Sequence, residues 1–218
     1  MTSKFDYYDL LGILVPGVLL ISWLPVCFPD AGWTGAEVFP EAFGVIALTA
    51  LSVFLGQLVQ AIGSMLEPAL FKTWGGRPSD IALGGGLPKY LPADSAERIK
   101  KKLSTAAGGN GSNHALFLLA MQRADGQNSG RAQRFNSLYA YHRGLLVLII
   151  VSFALLMASF ICGAGKAWSI GSKLGIVLLF IGLLVLVWHR TRQRACYYVR
   201  EVLHCAERGI DERQSTKE

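Results

Sequence analysis

Charge is sparse in this sequence. Only 17% of its 218 residues are Asp, Glu, Lys or Arg, while 52% are hydrophobic; an ordinary soluble domain carries about a quarter charged residues. The signatures of common enzymes are missing too. There is no GxSxG nucleophile turn and no HExxH. Cys196 and Cys205 with His189 and His204 do not give a trusted zinc spacing. "CGAGKAWS" (162–169) and "GGGLPKY" (84–90) lack the GxxxxGK[ST] order that cradles a phosphate. No aspartate stands at bilayer depth to serve an intramembrane hydrolase. The expectation is therefore no enzyme, no catalytic residue, no cofactor and no metal.

What is present is four long apolar runs, at roughly 8–27, 38–66, 144–164 and 172–188. A helix needs about 20 apolar residues to cross a bilayer. The fold class expected is thus all-α, an integral membrane protein with four transmembrane helices and a small helical cytoplasmic region. The first run is not read as a cleaved signal, because Asp6 and Asp9 dilute its basic start and no small-residue cleavage site follows. Nor is "LPVC" a lipoprotein box, since Val26 stands where a small residue belongs.

Basic residues fix the orientation. Of the 21, only Lys166 and Lys173 belong to the connection of the third and fourth helices, and none to that of the first and second. The other nineteen are Lys4, eleven in 67–143 and seven from Arg190 onward. Both termini and the middle segment are expected in the cytoplasm, with the chain in a bacterial inner membrane. This bias accounts for the net charge of +6, so no nucleic acid is expected as a partner. Trp33, in the short turn between the first two runs, suits a headgroup anchor. Cys27 and Cys162 fall at the outer ends of their helices, where a disulfide or two separately packed thiols are both open.

The domain order that follows is a transmembrane hairpin at 1–67, a cytoplasmic helical region at 68–143, a second hairpin at 144–189 and an amphipathic tail at 190–218. The middle region divides into three helical pieces. The first opens with Asp94 as N-cap and Glu97 three residues on, a capping box, and presents Lys100, Lys101 and Lys102 to water or lipid phosphate. The second, 113–124, is apolar nearly all round. The third, from 129, runs into the third span, with Phe135, Leu138 and Tyr139 expected against the other two pieces. In the tail, Ala195, Val199, Val202, Leu203, Ala206 and Ile210 make an apolar stripe. It requires a partner, either the middle region or a neighbouring subunit. Arg190, Arg192 and Arg194 belong among anionic headgroups.

Two features of the spans carry possible function. Pro16-Gly17 interrupts the first helix, as a kink covered by neighbours or as a hinge. In the second helix, expected to end near Pro68, Thr49, Ser52, Gly56, Gln60, Gly63 and Glu67 fall on one face. Such a stripe either packs helices closely through small residues and hydrogen bonds or lines a polar path in an oligomer. Glu67 can be solvated or can pair with Lys72.

The segments "FDYYDLLGILVPG", "GQLVQAIGSMLEPALFKTWGG", "RFNSLYAYHRG" and "ACYYVRE" resemble a group of bacterial four-helix inner-membrane proteins. The layout is also similar to membrane subunits and effectors of anti-phage defence systems. The resemblance implies a part that perturbs or senses the membrane with a cytoplasmic partner, and it carries over no catalytic residue. The function expected is an oligomeric inner-membrane protein that senses a cytoplasmic signal and alters permeability. The alternative is a non-conducting anchor that recruits a soluble partner. Expected partners are the lipid bilayer, further copies of the chain and a soluble cytoplasmic protein.

Overall fold

The computed structural model describes residues 7–29, 41–109, 111–126, 130–162 and 169–215. Trp33 and Lys166 fall outside them. Seven α-helices make up the described chain: α1 Tyr7–Cys27, α2 Glu41–Thr73, α3 Pro78–Gly85, α4 Ala93–Ala106, α5 Asn113–Gly126, α6 Gly130–Ile161 and α7 Ile170–Ser215. α2, α6 and α7 are long and apolar enough to cross a membrane, and α1 carries a shorter apolar stretch, Gly12–Cys27. This is the make-up of a helical membrane protein. The chain divides into two compact units, residues 1–66 with 140–191, and 67–139 with 192–218.

The first unit holds α1 and the apolar parts of α2, α6 and α7. Its interior is made by Leu20, Val59, Val147 and Leu148, with Leu55, Val151 and Leu155 against them. The outside is greasy. Phe43, Val45, Ile46, Leu48, Phe54 and Leu58 are exposed on α2, as are Leu174, Leu178 and Leu179 on α7. An inverted distribution of this kind costs nothing where the surrounding solvent is lipid. Cys27 is buried and Cys162 exposed, and neither forms a disulfide.

The second unit is built like a small soluble protein. Ala96, Ile99 and Leu103 of α4, Leu116, Phe117 and Ala120 of α5, and Val199, Val202, Leu203, Ala206 and Ile210 of α7 share one core. The tail stripe is therefore covered by the middle region of its own chain, and of the two partners it could have had, the internal one is used.

Several local expectations are corrected. α2 passes through Pro68 to Thr73. Proline removes one donor and crowds the carbonyl four residues earlier, and on this exposed face the helix accommodates both. α4 begins at Ala93 with Pro92 as N-cap, so Asp94 lies inside the first turn and makes no side-chain cap. The ring of Pro92, at φ −57°, has already set the chain for helix entry, and Asp94 complements the helix dipole instead. α5 is not buried all round: Leu118 is 51% exposed. Phe135 stacks on Tyr197 of α7, with centroids 6.1 Å apart, a partner outside the other two pieces.

The glycine-rich stretch 84–90 ends α3 at Gly85 and opens the turn that leads to α4. Leu87 and Leu91 exchange backbone hydrogen bonds at 2.8 Å each. Gly86 sits at φ +84°, and a β-carbon there would come within 2.7 Å of the Leu91 carbonyl. Only glycine closes the loop this tightly.

Candidate functional site

In the first unit the polar stripe of α2 lies against the chain's own helices. Ser52 is fully buried, its hydroxyl bonding back to Leu48 O at 2.7 Å. A β-carbon on Gly17 would be driven into the backbone carbonyl of Ser52, and one on Gly56 into that of Ile13. α1 and α2 thus cross with backbone touching backbone, and Pro16-Gly17 marks the crossing.

Pro16 has no N–H, so the carbonyl four residues earlier, Gly12, lacks its helical donor. Gln60 supplies one: its Nε2 donates to Gly12 O at 2.9 Å, and at 3.4 Å to Ala140 O of α6. Gly144 leaves the room, since a β-carbon there would lie 2.8 Å from the same nitrogen. One amide therefore joins three helices. Gly63 is packed under the Arg143 side chain, 3.1 Å from a notional β-carbon to Nε.

The two ends of the stripe behave differently. Thr49 is exposed and bonds to Val45 O of its own helix at 2.8 Å. Glu67, which belongs to the second unit, accepts from the Tyr139 hydroxyl at 2.9 Å.

A matching seam on α6 went unread in the sequence. Ser137, Gly144, Ser152 and Ser159 are buried, at intervals of seven and eight residues that keep them on one face. Trp23 Nε1 donates to Ser152 O at 3.0 Å. Thr191 of α7, fully buried, bonds to Val187 O at 2.7 Å and His142 O at 3.3 Å. The seven-residue spacing of small residues was the available signal.

The basic residues proposed to meet headgroups part company. Lys102 donates to Asp211 at 2.7 Å and to Glu207 at 3.2 Å, inside the second unit. Lys101 is exposed and Lys100 partly so. Arg190 and Arg192 are exposed, and Arg192 reaches Trp74 O at 3.4 Å. Arg194 is partly buried.

The second unit also has a cleft of about 440 Å³, which the sequence did not announce. α7 lines it with Arg200, His204 and Arg208, four residues apart and so on one face. Tyr90, from the 84–90 turn, and Arg131 of α6 complete the wall. Its two acids are already paired. Glu201, almost wholly buried, meets Arg131 at 3.2 Å. Glu207 meets Arg98 at 2.8 Å as well as Lys102. Burial opposes charge on Glu207, but hydrogen bonds from Arg98 and Lys102 outweigh it and hold the carboxyl below the usual glutamate range.

The class that these observations define is a helical membrane protein carrying a compact, cleft-bearing helical unit. Comparison with protein-family models, with characterised proteins and with solved structures finds no match.

Proposed function

We propose that this protein is a multi-pass anchor that crosses the membrane four times, keeps both termini in the cytoplasm and presents the second unit there to a soluble partner, without conducting ions. One observation carries the reading: Gln60, Ser52, Gly56 and Gly63, the residues best suited to line a polar path, are engaged by α1 and α6 of the same chain. What α2 and α7 leave outside is largely apolar, with Gln57, Thr49 and Ser64 of α2 exposed among it and the last two bonded back to their own helix. A surface so largely apolar meets lipid and offers an ion few groups to replace its hydration shell.

Reconstitution into liposomes with an entrapped dye and a potassium gradient tests this. Leakage is expected at the level of empty liposomes, for the native chain and for Gln60→Leu alike. Leakage by the native protein that Gln60→Leu removes would sink the reading. Topology has its own reporter, because Cys162 is exposed whereas Cys27, Cys196 and Cys205 are buried. In intact cells a membrane-impermeant maleimide should label Cys162 and little else.

A second reading, an oligomer that alters permeability, draws support from α7. None of its most apolar window is buried, and Ile149, Phe153, Phe180 and Leu184 form an apolar groove of about 150 Å³. A second copy seated there would bring α7 helices together, and the anti-phage role implied by the resemblance belongs with this reading. Native mass spectrometry from nanodiscs separates the two: a monomer favours the anchor, a closed ring of four or more copies the permeability function.

A further inference from the structure

We propose that the cleft between Tyr90, Arg131 and α7 is a binding site for a small anion carrying more than one phosphate. The argument begins with its charges. Glu201 and Glu207 are neutralised by Arg131, Arg98 and Lys102. Arg200 and Arg208 have no carboxylate partner among the described residues. Arg200 lies over the Tyr197 ring at 5.0 Å, and Arg208 donates to the Cys205 sulfur at 3.2 Å. His204 stands between them, 3.8 Å from Glu207. The wall of the cleft is therefore basic after its internal pairs are counted.

Geometry narrows the ligand. Four-residue steps along a helix rise about 6 Å each, so Arg200 and Arg208 are about 12 Å apart along α7. With one guanidinium on each of these turns, separated phosphates can meet both without either side chain folding along the helix. A di- or triphosphate, or a sugar with separated phosphates, spans both. The volume lies within the range of roughly 300–1,000 Å³ usual for small-molecule sites. Guanidinium groups suit phosphate because their planar fork donates two parallel hydrogen bonds. Tyr197 holds one such fork in place by its ring, and Phe135 and Tyr90 in turn hold Tyr197, with centroids 6.1 and 5.0 Å away.

Such phosphates come from two sources, a soluble metabolite or a phosphorylated lipid headgroup. The test uses the full chain in nanodiscs of phosphatidylcholine alone, titrated with tripolyphosphate by calorimetry, and then the chain bound to vesicles with and without a phosphoinositide polyphosphate. Saturable tripolyphosphate binding is expected, weakened roughly tenfold or more by Arg200→Ala or Arg208→Ala and falling as salt is added. Arg200→Lys should keep only part of the binding, whereas Arg192→Ala, outside the cleft, should bind like the native chain. Phosphoinositide binding that needs Arg200 and Arg208, without tripolyphosphate binding, assigns the site to a headgroup. Failure of both arms, or binding indifferent to the two arginines, overturns the proposal. Both arginines have substantial exposure, so unchanged melting of the variants separates lost binding from lost fold. The liposome leak assay can fail without touching this result, because the cleft is complete within the second unit.

Discussion

Gln60 illustrates how one side chain can hold a membrane fold together. Its partner carbonyl on Gly12 exists as an open acceptor only because Pro16 lacks a hydrogen. Gln60→Leu should therefore lower stability in detergent by about 1–3 kcal/mol, the cost of leaving a buried polar group unpaired. Pro16→Ala returns the helical donor to Gly12, so the double variant should lose less than Gln60→Leu alone. A cycle of four denaturation curves measures this, and simple additivity would refute the link. Glu207 acts at the same scale. Because its folded pKa is depressed, its contribution is complete above the ordinary glutamate pKa and is lost as pH falls through the lowered value. Melting of the chain should drop between pH 7 and pH 3, and Glu207→Gln should flatten part of that drop.

The crossing of α1 over α2 depends on the absence of two β-carbons. Gly17→Leu or Gly56→Leu places atoms where Ser52 and Ile13 carbonyls already are, so the helices must separate. The expected outcome is loss of the α1–α2 contact, read as protease sensitivity of α1, whereas Gly175→Leu, with open space around it, should be silent. In the second unit, Leu203→Ala removes a fully buried side chain and should cost about 2–5 kcal/mol. These helices differ in how legible they were. Apolar runs and the three-four stripe on the tail were plain in the sequence, because each reports on burial along a single helix. The small residues of α2 were visible as well, but their partners were not. Which carbonyl Gln60 reaches depends on residues 48 and 80 positions away. The cleft escaped notice for the same reason: Tyr90, Arg131 and Arg200 meet only when three distant segments pack. Asp94 misled because a carboxylate three residues before a glutamate satisfies the capping pattern, although Pro92 had already fixed where the helix starts.

At the level of the whole chain, the second unit is discontinuous in sequence, made from 67–139 and 192–218. Its core cannot close until the last stretch is available, since Val199, Val202, Leu203 and Ala206 cover the faces of α4 and α5. A ribosome adds about 5–20 residues per second, so the greasy faces of α4 and α5 wait several seconds, while two membrane segments are inserted, for the strip that will hide them. In a cell, that delay makes the unfinished chain a client for chaperones. A nonsense mutation near Arg192 should therefore be harmful: a chain that inserts normally, yet is cleared by quality control because the second half of α7 never arrived.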